Sequence, residues 1–260
     1  MSHDGVPQMS VIDPPLEHAP IIEAVVEINC DLPLGMDLLA LEEAARKCYG
    51  DVYPVARRRL IQELQFRQEG DAAPESSVDR AVDALQFATI DERQLVQVRR
   101  EGFSFNRLAP YSSLDEYLPE IQRTWLKFVE IARPVQVRRI GLRYINRILL
   151  PTVHGEVQLD EYLAIGPRLP VPTLTVAGFL HQYVAVEPGT RNQVSITMVM
   201  HPEADGTSPL LFDIDAFRSS ASVPEDWSSI RSDILALRAL KNRVFLNSLT
   251  EKCLNLFRQP

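Results

Sequence analysis

Glycine is scarce and scattered in this chain, 11 among 260 residues, with no GxGxxG and no Walker-type GxxxxGK, so no phosphate-cradling loop is visible. Cysteine is scarcer still. Cys30, Cys48 and Cys253 form an odd, unpatterned set without a CxxC, which argues against a disulfide framework and for a reducing compartment. All three read as small core residues before they read as nucleophiles. None of the histidines, His3, His18, His154, His181 and His201, has a partner at a metal-ligand spacing such as HExxH. No GxSxG marks a nucleophile elbow. The chain therefore shows no recognisable catalytic centre and calls for no metal and no cofactor. Long apolar runs are missing too. The stretch Ile21 to Val26 is broken by Glu23, far short of the roughly 20 residues that span a bilayer. Met1-Ser2-His3-Asp4 does not open a basic-then-apolar leader. A membrane partner is not expected, and a cytoplasmic location is. Positive charge is in deficit: the net charge of −8 disfavours a general nucleic-acid binder, although a local basic patch can sit on an acidic protein.

What the chain does hold is an ordinary globular composition, 45% hydrophobic and 24% charged, enough for one large domain or two small ones. Residues 1–19 carry Pro7, Pro14 and Pro15 with little periodicity and read as a flexible N-terminal arm. Then Ile22, Ala24, Val26 and Ile28 alternate with Glu23, Val25, Glu27 and Asn29, a strand with one apolar and one carboxylate-bearing face. Leu38, Leu39, Leu41, Ala44, Ala45 and Cys48 fit an amphipathic helix that Gly50 ends. Val52 to Phe66 reads as a second strand and Gly70 to Ser77 as a polar loop. Ala84 to Ile90 and Leu95 to Phe105 read as two strands joined by Asp91-Glu92-Arg93. Ser113-Leu114-Asp115-Glu116 has the form of a capping box. Leu118, Ile121, Trp125, Phe128 and Ala132 follow at helical spacing, with Pro119 marking where the regular helix is expected to begin.

Pro134 closes that helix, and the second half predicts a long strand over Val135 to Leu150 and a short helix over Leu159 to Ile165. Strands follow over Thr173 to Val186, Gln193 to Met200 and Leu210 to Asp215. A long helix carries Trp227, Ile230, Ile234, Leu237 and Val244, and Ser248-Leu249-Thr250-Glu251 can cap a last segment. Residues 20–133 and 134–260 thus share the order β-α-β-β-β-α. The expected fold is α+β: two tandem β-α-β-β-β-α units joined into one curved antiparallel sheet, helices packed on one face, in one integrated domain. That order is similar to the TATA-box-binding-protein plan, a likeness of arrangement that carries no function. The pentapeptide Leu-Asp-Glu-Tyr-Leu at 114–118 recurs at 159–163, but at non-equivalent places in the two halves.

The most distinctive stretch is Val135 to Ile148. One face of that strand holds Arg139, Gly141, Arg143, Ile145 and Arg147; the other holds Ile140, Leu142, Tyr144, Asn146 and Ile148. Arginines two pleats apart stand about 13 Å from each other, and Gly141 leaves a gap that a ligand or another backbone could enter. Glu23 and Glu27 on the first strand, with Asp213 and Asp215 near the end, are placed to answer the stripe. Two readings stand: cross-strand ion pairing on the wet side of a sheet, or a polar surface whose guanidinium groups fork onto a partner's carboxylate or phosphate.

The stretches His18 to Ile28, Ile140-Gly141-Leu142-Arg143-Tyr144-Ile145-Asn146-Arg147-Ile148, Leu211 to Asp215 and Val244 to Glu251 together resemble a sporadically distributed prokaryotic family of about 250 residues, to which no reaction is assigned. The central motif is its most specific part. The patchy occurrence of that family implies an accessory, defence-linked or partner-neutralising role.

The reading that follows is a non-catalytic binding protein whose partner is another protein, taken on the face bearing Arg139, Arg143, Arg147, Glu23, Glu27, Asp213 and Asp215. A homodimer through the final helix is a further expectation. One alternative is nucleic-acid binding through Arg57, Arg58, Arg59, Arg99 and Arg100 with the stripe. Another is an enzyme with a diffuse site of Glu23, Glu27, Arg143 and Asp213, which requires those groups to converge in one pocket with a shifted carboxylate.

Overall fold

The computed structural model describes residues 16–67, 75–153, 156–171, 173–201 and 209–258. The fold is α+β, built on a nine-stranded sheet in which every neighbouring pair is antiparallel. At its centre β1 (Ile21–Asp31) lies beside β6 (Gln136–Leu149). On the β1 side follow β5 (Gly102–Leu108), β4 (Gln94–Arg99), β3 (Glu75–Ala88) and β2 (Val55–Arg67). On the β6 side follow β11 (Pro209–Ser219), β10 (Gln193–Met200) and β9 (Phe179–Val186). A separate two-stranded hairpin joins β7 (Thr152–Val153) to β8 (Glu156–Val157).

Alternation decides which face is buried. Ala24, Val26, Ile28 and Cys30 of β1, and Ile140, Leu142, Tyr144, Asn146 and Ile148 of β6, all point into one core. Helices cover that face only. α2 (Leu114–Ala132) lays Leu118, Ile121, Trp125 and Phe128 on it, and α4 (Trp227–Ser248) lays Ile230, Ile234, Leu237 and Phe245 on it. The stripe of α4 is thereby spent within the chain, with Phe245 stacked on Phe212 of β11. The indole N–H of Trp125 donates to the Pro224 carbonyl at 2.9 Å, tying the first half to the second. The shorter α1 (Glu42–Tyr49) follows a 3-10 turn at Leu38–Leu41 and buries Tyr49, whose hydroxyl donates to the Thr124 carbonyl at 2.9 Å. α3 (Leu159–Tyr162) and α5 (Glu251–Asn255) join where the Thr250 N–H donates to the Tyr162 carbonyl at 3.0 Å.

Several elements differ from expectation, each for a local reason. The segment Leu95 to Phe105 is two strands: it reverses at Arg100–Glu101, and Gly102 sits at φ +136°, where an added Cβ would lie 2.2 Å from the Ile28 carbonyl oxygen. The first half therefore has four strands after α1, the second only three after α3, and the identical order expected for the two is not what forms. Glu75–Ser77, expected in a loop, already belongs to β3, which pairs with the whole of β2; the rest of that loop is outside the described residues. β9 starts at Phe179 and not at Thr173, because its partner β10 ends at the Met200–Phe179 pair. β11 runs on to Ser219 because β6 offers partners as far as Arg139. The helix α2 starts at Leu114, ahead of Pro119: Ser113 caps it by accepting from the Glu116 N–H at 3.3 Å. The capping box is half made, since the Glu116 carboxylate bonds to Ser112. Residues 1–15 of the expected arm are outside the described residues; in 16–19, Leu16 packs on the core and the His18 N–H donates to the Phe257 carbonyl at 3.0 Å. No helix among the described residues is long and apolar enough to cross a membrane.

Candidate functional site

The face of the sheet away from the helices carries the charged residues singled out in the sequence. Strand pairing arranges them in rows. One row runs Arg57, Gln86, Gln97, Ser104, Glu27, Gly141 and Phe217 across all seven strands from β2 to β11 as directly opposed partners, with Glu27 of β1 between β5 and β6. The next brings Asn106, Val25, Arg143, Asp215 and Ser195 into line. A third holds Glu23, Ile145, Asp213 and Thr197.

Within this frame the arginines of β6 meet the carboxylates of β1 and β11. Arg143 forks onto Asp213, Nε to Oδ1 at 2.9 Å and Nη2 to Oδ2 at 2.6 Å. Arg139 reaches Asp215 at 3.0 Å and Glu27 at 3.3 Å. Its guanidinium folds back over Gly141 and rests 4.4 Å from the centroid of the Phe217 ring. The gap expected at Gly141 is thus filled from within the chain: a Cβ there would lie 2.8 Å from Nη1 of Arg139. Arg147 stands on the same face of β6, opposite Leu211. The Asp213 bridge holds the Arg143 guanidinium above its ordinary range. Burial raises the Asp215 carboxyl, with Glu27 adding to the rise and Arg139 opposing it.

A relay of amides that the charge pattern did not reveal completes the site. Gln86 donates to Gln97 at 3.0 Å, Gln97 to Asn106 at 3.1 Å, and Asn106 to the Glu23 carboxylate at 2.7 Å. Ser104 also donates to Asn106, at 3.1 Å. Their signal in the sequence is parity: Gln97 lies between core Val96 and Val98, and Ser104 between core Phe103 and Phe105. Glu23, Glu27, Arg143, Asp215, Arg59 and Arg99 all line one hollow of about 400 Å³ over this relay. Asp213, Arg139 and Arg147 are not among its lining.

The remaining arginines do not form one surface. Arg57 pairs with Glu92 at 2.9 Å, Arg59 with Asp83 through Nε at 2.7 Å, and Arg99 with Glu27. Arg58 turns to the helix side and bonds to Glu42 of α1 at 2.9 Å, and the Nε of Arg100 donates to the Val82 carbonyl at 2.9 Å. Exposed pairs of this kind add little to stability. The consequence for electrostatics is larger than for stability, because the carboxylates cancel the basic field of the stripe.

Toward β9 the open face changes character. Leu180, Val184 and Val186 are 66, 69 and 58% exposed, and Leu149 and Leu211 add to them beside Arg147. β9 is the last strand, and among the described residues its outer edge has no neighbour. Elsewhere, burial pushes the thiols of Cys30 and Cys253 up to about 12, which makes them poor nucleophiles. His181 sits between Phe179 and Tyr183 on β9. No group of three or more His, Cys, Asp or Glu able to hold a metal occurs among the described residues. No known family model matches the chain, and no curated protein matches it.

Proposed function

We propose that this is a non-catalytic protein-binding module that takes up an extended segment of another protein along β9 and the adjoining open face. The observation that carries the reading is the edge strand itself. It combines backbone that no strand pairs among the described residues with three aliphatic side chains more than half exposed, on the same open face as Arg143 and Arg147 of β6, from which β10 and β11 separate it. Exposed apolar edges are normally blunted by charge, proline or cover, so one left open is what strand addition needs. Arginine is also among the residues enriched in protein interfaces. The partner segment would supply alternate aliphatic side chains and a carboxylate able to exchange with Asp213 on Arg143.

The mirrored strand order about the β1–β6 pair supports a related inference, that the halves are two copies of one plan. From the centre outward the first half has β5, β4, β3 and β2, and the second β11, β10 and β9. On that reading the second copy lacks its outermost strand, and the partner takes its place. The accessory role implied by the family resemblance is of this kind.

The alternatives fare differently. A nucleic-acid partner requires a net basic surface, and Arg57, Arg58, Arg59 and Arg99, four of the five arginines named for it, are answered by Glu92, Glu42, Asp83 and Glu27. A diffuse catalytic site gains from the convergence of Glu23, Glu27, Arg143 and Asp215 on one hollow and from the raised Asp215. Against it, the Arg143 guanidinium there is already held by Asp213 and that of Arg99 by Glu27.

The test is a pull-down from native lysate with three baits: wild type, V184E, and Arg143→Ala combined with Arg147→Ala. One protein retained by the wild type and lost from both variants, with unchanged circular dichroism, is the expected result. Equal capture by all three baits refutes the docking surface. Salt-sensitive binding to DNA or RNA by the wild type would favour the nucleic-acid reading instead.

A further inference from the structure

Beneath the sheet, on the face opposite the docking surface, lies a cavity of about 310 Å³ enclosed by α4, the start of α2, β6 and the chain leading into β1. This is the small end of the range for ligand pockets, about 300–1,000 Å³. Its walls are largely apolar, with Leu16, Ile21, Leu235 and Phe245 among them. Its floor is polar: Asn146, and Tyr144 with its hydroxyl 2.7 Å from that of Tyr111.

One side chain is unexpected there. The buried stripe of α4 steps through Ile230, Ile234, Leu237, Lys241, Phe245 and Ser248, so a lysine occupies a core position. Lys241 is 8% exposed and lines the cavity, its Nζ 4.0 Å from the centroid of the Tyr144 ring. No hydrogen bond or carboxylate meets that amine among the described residues. Buried ammonium groups are normally paired, because the isolated charge is costly. Among the described residues, the charged groups lining the cavity are Arg238, Lys241 and Asp115, and Asp115 is bound to Arg238 at 2.8 Å. Among those residues no carboxylate is left over for Lys241.

We propose that this cavity binds a small monocarboxylate with a compact apolar body, its carboxylate held by the Lys241 ammonium and its body among the aliphatic walls. The tyrosine hydroxyl pair in the same floor keeps one O–H to donate, suited to fixing the carboxylate's orientation, whereas the Asn146 amide already donates to the Phe212 carbonyl at 2.9 Å. The first turn of α2, whose amides lack intrahelical acceptors, opens on the same space through Ser113 and Leu114.

The chemistry of the amine makes binding depend on pH. Burial, reinforced by Arg238, pushes Lys241 down to about 7. The groups facing it are Tyr144 from β6, Tyr111 ahead of α2, Asp115 on α2 and Arg238 on α4. Burial holds both tyrosines above their ordinary range, so they stay neutral throughout. A bound carboxylate favours the charged lysine and draws a proton from solution. Affinity therefore falls as pH rises above about 7.

The experiment is calorimetric titration of the full chain with butyrate, hexanoate and benzoate, at several pH values and in buffers of different ionisation enthalpy. At least one of these should bind with net proton uptake. Lys241→Met should bind it roughly tenfold to a hundredfold more weakly. Lys241→Met is expected to fold, because methionine fills the site without a charge. It should be more stable than the wild type near neutral pH. The sign follows from the depressed amine: from about 7 to its ordinary 10.5 the unfolded chain holds this proton and the native chain does not. Wild-type stability therefore gains with pH across that interval, and the margin between the two proteins narrows. No binding of any of the three acids to the wild type, or equal binding by Lys241→Met, overturns the proposal. A stability difference that does not change with pH would show that Lys241 is charged throughout and overturn the coupling. The docking surface on the opposite face is unaffected by either result.

Discussion

At the scale of single residues, the side chains that matter most are those joining distant parts of the chain. Trp125 is fully buried, its ring 5.7 Å from Phe103 and 5.3 Å from Phe128, its N–H on the Pro224 carbonyl. Trp125→Ala removes the ring and opens a cavity, and is expected to cost about 3–5 kcal/mol in urea unfolding. Trp125→Phe keeps most of the apolar contact but leaves the carbonyl without its donor, at a cost of about 1–3 kcal/mol. If the phenylalanine variant is as damaging as the alanine one, the hydrogen bond and not the packing dominates. The charged residues were legible at this scale by type and parity. Arg139, Arg143, Glu27, Asp213 and Asp215 do share one face, as alternation along their strands implies. Which guanidinium meets which carboxylate was not legible, since it depends on β11 lying beside β6, a neighbour about 70 residues away in sequence. Lys241 was passed over for a different reason. A lysine reads as solvent-facing by type, although its step from Leu237 is the one the buried stripe requires.

At the scale of elements, those with one buried face announced themselves. β1 and β6 alternate cleanly, and α2 repeats every three or four residues. β2 reads as a strand too, but the first half of β3 does not, because beyond its pairing with β4 the ribbon has no third strand among the described residues to impose an apolar side. The break between β4 and β5 was written in the sequence and misread. The core positions are even at Val96 and Val98 and odd at Phe103 and Phe105, which no uninterrupted strand allows. Within α2, Pro119 is the sixth residue and cannot donate to the Asp115 carbonyl. Pro119→Ala restores that bond and removes the ring clash, and is expected to raise stability by about 2 kcal/mol in thermal or urea unfolding. A loss of stability would show that the proline ring packs to more effect than the missing bond costs.

At the scale of the whole molecule, the central β1–β6 pair and the single buried cluster beneath it bind the halves together. Each half alone would expose one side of that pair along ten or more residues, together with the apolar face that Trp125 covers. Fragments 20–133 and 134–260 are therefore expected to be largely unfolded when separate, and to regain ordered circular dichroism on mixing. Two independently cooperative transitions would contradict this. The uncovered margin at β9 has a consequence for handling as well as for recognition. A hydrophobic border with spare amides accepts any extended chain, including one from another molecule of the same protein. Solutions of the isolated protein should grow turbid with concentration and clear when stoichiometric partner is supplied. A lysine at position 184 should act as a gatekeeper, keeping the preparation monodisperse at the expense of its biology.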